Sequence, residues 1–249
     1  MLELNRISAG YGKQTVLDGI SVDFEKGKLT SIIGVNGCGK STLLKAILGI
    51  LSLSSGEIFI DGENLLTISR NEIAKKIAYL SQGKNIPDMT VEQMVLHGRF
   101  PYLSYPRRYS SHDREVAIKA MEIVGIAEFA HKPLYSLSGG MRQNAYIAMA
   151  LAQDTDYILL DEPTTYLDIA HQLELMRILR KLADSGKGIV AVMHNLPIAF
   201  DFSDKLTVMS NGKIIAYGTP SEICESHIVE DIFGVKIKQV QKGKYLYEY

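Results

Sequence analysis

The sequence has few of the features that hold a small secreted protein together. It contains two cysteines in 249 residues, Cys38 and Cys224, and their spacing fits neither a disulfide framework nor a zinc site. It has no tryptophan and only seven prolines. With 46% hydrophobic residues, the composition excludes a disordered or collagen-like chain and predicts a globular protein. The cysteine usage favours a reducing compartment.

No charge of one sign dominates, and no long apolar run is present. The 27 basic and 28 acidic side chains give a formal net charge of −1, which argues against a nucleic-acid partner. The amino terminus has no basic segment followed by an apolar one, so we expect no signal peptide. Apolar runs such as 145–152 are shorter than the roughly 18 residues of a membrane span. We therefore expect a cytoplasmic chain that reaches a membrane only through a partner.

Short apolar strands and amphipathic helices alternate along the chain, which indicates an α/β fold in one domain. Alternating apolar residues near the amino terminus predict an antiparallel β region, and Asn211-Gly212 predicts a hairpin. Helix-like segments dominate from about residue 85 to about 135. We therefore expect a core with a β subdomain over approximately 1–84 and 136–249, and a helical subdomain over approximately 85–135.

Residues 34–42 read GVNGCGKST and match the pattern G-x-x-x-x-G-K-[ST]. The apolar run 29–33 precedes this segment and helical composition follows it, so a phosphate-binding loop is favoured over an ordinary glycine-rich turn. Its glycines allow backbone N–H groups to approach a phosphate chain closely, and the helix adds its positive end. Lys40 would reach the β- and γ-phosphates, and Ser41 would bind Mg²⁺. The predicted nucleotide-binding residues are Asn36, Gly37, Cys38, Gly39, Lys40, Ser41 and Thr42.

Residues 157–162 read YILLDE, an apolar strand that ends in two carboxylates. Asp161 has the chemistry that Mg²⁺ prefers, since hard cations bind oxygen ligands. Glu162 is a candidate to orient or deprotonate the attacking water. Solvated acids at the end of a strand are the alternative interpretation, which the neighbouring phosphate-loop motif disfavours.

The segment SLSGGMRQ at 136–143 predicts a second anion-binding site. Ser138, Gly139 and Gly140 offer a hydroxyl and backbone N–H groups at the start of a helix. Two phosphate sites in one chain make sense if two copies face each other and share each nucleotide. The alternative is that Ser138 is an ordinary N-cap.

The order of these motifs resembles that of the ATP-binding-cassette (ABC) ATPases, almost from end to end. The resemblance implies a P-loop NTPase fold with a RecA-like α/β core, an antiparallel β subdomain and a helical subdomain, and hydrolysis of ATP with Mg²⁺. It implies that Tyr11 stacks on adenine, and that Gln82 senses Mg²⁺ and faces a membrane partner. Asp168 would link the two sites of a dimer, and His194 would contact the γ-phosphate. The signature segment (residues 137–140) would cap ATP bound to the opposite chain.

The stretch GRFPY at 98–102 and the run LLDEPTTYLDIAHQ are similar to those of ATPases of importers for iron chelates, haem and cobalamin. This resemblance implies a head-to-tail dimer at the cytoplasmic face of the membrane, held by permease subunits that receive cargo from a substrate-binding protein. Two alternatives stay open. Residues 98–102 fit a helix stop with a proline-led turn, and stand-alone cassettes also serve as soluble assembly factors, for example in iron–sulfur cluster biogenesis.

Overall fold

A computed structural model describes residues 1–81, 86–241 and 243–248 of the protein. The strands in chain order are β1 (Leu2–Tyr11), β2 (Gln14–Phe24), β3 (Leu29–Gly34), β4 (Leu53–Ile60), β5 (Glu63–Asn64), β6 (Ile77–Leu80), β7 (Tyr157–Asp161), β8 (Gly188–Val192), β9 (Lys205–Ser210), β10 (Lys213–Gly218), β11 (Lys236–Gln241) and β12 (Lys244–Glu248). The helices are α1 (Lys40–Ile47), α2 (Arg70–Lys76), α3 (Val91–Leu96), α4 (Ser111–Ile123), α5 (Gly139–Ala152), α6 (Ile169–Asp184), α7 (Leu196–Phe202), α8 (Pro220–Glu225) and α9 (Ile228–Phe233).

The central sheet has the strand order β10-β9-β3-β8-β7-β6, and its strands are parallel except for β10. Every residue of β3, β7 and β8 is buried, because helices or strands cover both faces of a parallel sheet. Ile32 and Leu159 enter one hydrophobic core, whereas their neighbours Ile33 and Leu160 enter the other. This architecture confirms the predicted α/β fold.

A second, antiparallel sheet has the order β2-β1-β4-β5 and packs over α1 on one side of the central sheet. Strands β1 and β2 pair antiparallel, as the alternation of apolar residues predicts. The predicted hairpin at Asn211-Gly212 is also confirmed, because it joins the antiparallel strands β9 and β10.

Helices α3, α4 and α5 form a helical layer on the other side of the central sheet. The three helices contact one another, and α5 also contacts β6. Val95, Met121 and Ala148 are buried together in the core of this layer. Because α5 packs with α3 and α4, the contacts of the helical layer reach to residue 152. The predicted subdomain boundaries near residues 85 and 135 stay a prediction.

A short 3₁₀ helix, His97–Tyr102, contains the GRFPY stretch and follows α3 directly. Gly98 lies against the backbone of α5, where an added Cβ would collide with the carbonyl oxygen of Met149. The glycine therefore permits a close approach of two backbones. The stretch closes the helical layer, with Pro101 in its last turn, so the geometry matches the interpretation as a helix stop.

Arg99 forms a buried ion pair inside the helical layer. Its Nε donates to Asp113 Oδ1 at 2.9 Å, and its Nη1 donates to the carbonyl of Ala152 at 3.0 Å. Arg99 and Asp113 are 4% and 6% exposed, and the guanidinium lies 3.9 Å from the ring centroid of Tyr102. Burial alone would raise the pKa of Asp113, but hydrogen bonds from Ser110 and Arg99 hold it at about 2.

We expect Arg99→Ala to lower the free energy of unfolding by about 3–5 kcal/mol, because it leaves a buried carboxylate without its partner. The control is Arg114→Ala, which removes an exposed 3.4 Å contact with Glu92 and should cost about 1 kcal/mol or less. Urea denaturation of both variants measures the difference, and equal losses would contradict a buried, paired carboxylate.

The same ion pair gives a pH dependence with a defined sign. The pKa of Asp113 is about 2 in the folded chain, below the ordinary aspartate value of 3.8. Its contribution to stability is therefore complete above about pH 4 and is lost as the pH falls from about 4 to about 2. Denaturation series of the parent chain and Asp113→Asn should converge across this interval.

Among the residues that the structure describes, no helix is long and apolar enough to cross a bilayer.

Candidate functional site

The candidate site lies at the carboxyl ends of three neighbouring parallel strands. Strands β3, β8 and β7 are adjacent in the central sheet, so the residues that follow them meet at one edge. Gly34 ends β3, Asp161 ends β7, and His194 follows β8 by two residues. Open α/β sheets bind ligands at this edge.

The phosphate loop (residues 34–42) turns sharply between β3 and α1. Gly37 and Gly39 have positive φ angles of 79° and 108°, which side chains other than hydrogen rarely allow. Lys40 is 6% exposed, and its ammonium donates to the carbonyls of Gly34 at 2.8 Å and Val35 at 3.0 Å. The lysine charge and the amino-terminal end of α1 therefore favour an anion at the same place.

The other predicted residues of the phosphate loop differ in exposure. Asn36 and Gly37 are exposed, whereas Thr42 is half-buried. Cys38 is 4% exposed and belongs to the hydrophobic core beneath the antiparallel sheet. Its thiol therefore faces the protein interior, and its backbone is the part that can face a phosphate.

The β9–β10 turn supports the phosphate loop, a role that the sequence interpretation missed. The N–H of Gly212 donates to the carbonyl of Cys38 at 3.0 Å, and its carbonyl accepts from the N–H of Asp18 at 2.9 Å. The φ angle of Gly212 is 75°, and an added Cβ would collide with the carbonyl of Val16. The Asn-Gly signal predicted the turn but not the loop that it contacts.

Gly212→Ala should therefore weaken ATP binding as well as stability. Gly62→Ala is a matched control, because Gly62 has a φ angle of 81° but no atom within 4 Å of an added Cβ. Both variants should lose about 1–2 kcal/mol through the positive φ angle. We expect Gly212→Ala to lose a further 1–3 kcal/mol or so through the collision. Calorimetric titration with ATP should show reduced affinity for Gly212→Ala alone, and equal affinity in both variants would contradict the supporting role.

Asp161 joins the phosphate loop to β7. Its Oδ1 accepts from Ser41 Oγ at 3.0 Å, and its Oδ2 accepts from the Tyr79 hydroxyl at 3.4 Å. Burial raises the pKa of Asp161, and the neighbouring charge of Glu162 raises it further. A hydroxyl and a carboxylate side by side are the oxygen ligands that Mg²⁺ prefers, so these residues fit the predicted magnesium site.

Glu162 follows Asp161 with a positive φ angle of 54°, and its side chain contacts other residues than that of Asp161 does. Its Oε1 lies 2.6 Å from His194 Nε2, and its Oε2 accepts from Thr165 Oγ1 at 3.2 Å. Burial would raise the pKa of Glu162, but the contacts with His194 and Thr165 outweigh it and lower the pKa. The structure thus brings Glu162, the predicted base, next to His194, to which the resemblance assigns a contact with the γ-phosphate.

A second group of predicted residues lies at the starts of α5 and α6 and contains Ser138, Gly140 and Asp168. Ser138 is the N-cap of α5, and its hydroxyl accepts from the N–H of Met141 at 3.3 Å. Asp168 is the N-cap of α6 and binds His171, whose ring lies against Gly140. Gly139 begins α5 and is exposed. The N-cap interpretation of Ser138 is therefore correct for the single chain, and it leaves the helix end able to bind an anion.

Two further predicted residues are Tyr11 and Gln82. Tyr11 ends β1 and is 49% exposed at the turn into β2. Gln82 lies outside the described residues, so its predicted contacts with Mg²⁺ and a membrane partner stay predictions. Thr165 and Tyr79 were missed, since a lone hydroxyl carries no sequence signal for a partner on another element.

Residues 17–165 match the family model described as "ABC transporter". The chain is 40% identical over 234 residues to "Petrobactin import ATP-binding protein FpuD" of Bacillus anthracis, covering 93% of this chain and 86% of the relative. It is 40% identical over 233 residues to "Ferric enterobactin transport ATP-binding protein FepC" of Escherichia coli (strain K12), with the same coverage of 93% and 86%. It is also 40% identical over 236 residues to "Iron(3+)-hydroxamate import ATP-binding protein FhuC" of Bacillus subtilis (strain 168), covering 94% and 88%.

Two solved structures show the same fold. A chain of "An inward-facing conformation of a putative metal-chelate type ABC transporter" superposes with a TM-score of 0.86 at 27% identity, covering 100% of this chain and 97% of that one. A dimeric bacterial ABC transporter cassette superposes with a TM-score of 0.76 at 27% identity, covering 88% and 99%.

Proposed function

Since this chain belongs to the ABC transporter family, whose ATP-binding proteins are ATPases, we propose that it energises the import of an iron chelate of the siderophore type. The names of three relatives at 40% identity support this cargo class over haem or cobalamin, because they specify petrobactin, ferric enterobactin and iron(3+)-hydroxamate. The names of these relatives also favour transport over a role as a soluble assembly factor.

The observation that carries the catalytic part of the proposal is the position of Glu162 beside His194, at the strand edge that also holds the phosphate loop. Because the pKa of Glu162 is lowered, its carboxylate is ionised at neutral pH. In this state the carboxylate can orient a water molecule and accept its proton as the water oxygen bonds to the γ-phosphorus. The bond from the γ-phosphorus to its bridging oxygen then breaks, which releases ADP and phosphate.

The remaining roles follow from charge and reach. Lys40 binds the β- and γ-phosphates, the loop amides hold the phosphate chain, and His194 donates to the transferring phosphoryl group. Ser41 and Asp161 would hold Mg²⁺ together with Gln82. When bound, the ion neutralises charge on the phosphates.

We propose that two copies of the chain assemble head to tail with ATP between them. Ser138, Gly139 and Gly140 stand at the start of a 14-residue helix, where N–H groups and the helix dipole favour an anion. In this arrangement they cap the phosphates held by the opposite copy, and Asp168 links the two sites. The fold likeness to a dimeric cassette supports this assembly.

The proposed partner on the other side is a membrane permease, which would hold the chain at the cytoplasmic face and receive cargo from a substrate-binding protein. A cavity of about 340 Å³ beside Asp161 and Glu162 continues to Met94, Tyr146 and Met149 of the helical layer. The carboxylates and this layer therefore line one cavity, and a change at one wall during hydrolysis alters the space that the other wall faces. Arg107 and Arg108 lie in an exposed segment between the 3₁₀ helix and α4.

Gentle isolation of the tagged native protein from membranes and cytosol tests this function. A polytopic permease in stable ratio is the expected partner, and ⁵⁵Fe uptake from a ferric siderophore should require the chain. Parallel arms with labelled haem and cobalamin test the other chelates. Recovery of soluble partners alone, with normal uptake in cells that lack the chain, would contradict the transporter function and favour an assembly factor.

A further inference from the structure

His171 contacts two segments that the proposed function assigns to the dimer. We propose that His171 is a positioning residue, which fixes the backbone of Gly140 relative to Asp168 and so aligns the signature segment for the opposite nucleotide. The proposal rests on the head-to-tail assembly for its effect on catalysis, but the contacts themselves lie within one chain.

The first contact fixes the ring of His171. Its backbone N–H donates to Asp168 Oδ1 at 2.9 Å, as expected for the third residue after an N-cap. Its ring Nδ1 lies 2.9 Å from both carboxylate oxygens of the same aspartate. Two contacts to one carboxylate hold the imidazole in a single orientation.

The second contact places that ring behind the signature segment. Gly140 is buried, and a Cβ added to it would collide with His171 Cδ2 and lie 2.8 Å from both Cγ and Nε2. No side chain larger than hydrogen fits between the ring and the start of α5. A displacement of the imidazole is therefore transmitted directly to the backbone that would bind phosphate.

Gln172, the residue after His171, contacts the other side of the loop that ends at Asp168. Gln172 Nε2 donates to the carbonyl of Leu167 at 2.9 Å, and Gln172 Oε1 lies 3.5 Å from Asn195 Nδ2. Asn195 adjoins His194. His171 thus connects the loop before α6 to the signature segment, and Gln172 connects the same loop to the hydrolysis site. A shift of Asp168 when a second copy binds would therefore move both the signature segment and the hydrolysis site.

Two substitutions separate the two contacts of His171. His171→Asn keeps a donor near Asp168 but removes the ring atoms that face Gly140. His171→Phe keeps a ring but removes the donor. The matched control is His227→Asn, because His227 also pairs with an acid three residues away in the sequence, Glu230 at 3.3 Å, but is the N-cap of α9, away from the signature segment.

The first measurement is hydrogen exchange of the amides of Met141 and Arg142, both of which donate to Ser138, in the isolated chain without nucleotide. We expect exchange to rise at least about tenfold in both His171 variants and to stay unchanged in His227→Asn. Unchanged exchange in either His171 variant would overturn the bridging role, because one of the two contacts would then be dispensable. This result does not depend on dimer formation.

The second measurement is steady-state ATPase kinetics with the purified transporter complex. Both His171 variants should lose at least about tenfold in kcat, while ATP binding to the isolated chain, which uses the phosphate loop, stays within about twofold. A lower melting temperature with native kcat would reduce His171 to a structural residue and overturn the proposal. Failure of Glu162→Gln to trap a dimer would instead count against the proposed assembly.

Discussion

Glu162→Gln is expected to lower ATP turnover by about 10²–10⁴-fold, the usual contribution of a general base. The amide is close in size to the carboxylate and can still accept from Thr165, but it cannot accept a proton from water. Its contact with His194 loses the negative charge of the carboxylate. ATP binding should persist, because Lys40 and the phosphate loop are unchanged.

Stopped hydrolysis should also change the oligomeric state. Because the two copies hold ATP between them in the proposed assembly, Glu162→Gln, which does not consume this ATP, should remain dimeric in ATP and Mg²⁺, which light scattering after gel filtration measures. Glu174→Gln, an exposed change on α6, is the control and should behave as the parent. Native turnover in Glu162→Gln would remove this residue from its assigned role.

Lys40→Ala should reduce the affinity for ATP by about a hundredfold or more, because charge-assisted hydrogen bonds to phosphate contribute roughly 1.5–3 kcal/mol each. Lys40 is buried, and the carbonyls of Gly34 and Val35 hold its ammonium at the phosphate loop. Among the described residues of the phosphate loop, no other side chain carries a full positive charge.

Titration calorimetry with ATP measures the loss of affinity. Lys181→Ala, in the last turn of α6, removes a charge of the same kind away from the site and should leave the affinity unchanged. A circular dichroism spectrum and melting curve show whether Lys40→Ala keeps its fold. Parental ATP affinity in a folded Lys40→Ala chain would show that the phosphates bind elsewhere.

Much of the site could be predicted from the sequence because its chemistry is contiguous. GVNGCGKST places glycines, lysine and serine within one turn, and YILLDE places two carboxylates at the end of one strand. Their local geometry depends on neighbours in the chain, which a single sequence displays. The parallel order of β3, β8 and β7 then brings Lys40, Asp161 and His194 to one edge, as the apolar runs before them indicate.

GRFPY shows what the sequence alone could not predict. Its residues predicted a family likeness, but Gly98 and Arg99 pack inside the helical layer against α5 and Asp113. The sequence could not show that Arg99 is buried, because an isolated arginine is usually exposed and its partner lies on another helix. The family model match and the relatives support the likeness over far more of the chain than that stretch.

By itself, the sequence determined the fold class, the phosphate loop and the carboxylates that follow β7, since each is specified by residues adjacent along the chain. Only the tertiary structure decided that Gly212 supports Cys38 and that His171 lies behind Gly140. These pairs meet because separate helices and strands pack together. Such contacts depend on the positions of whole elements, and no local pattern of residue types specifies them.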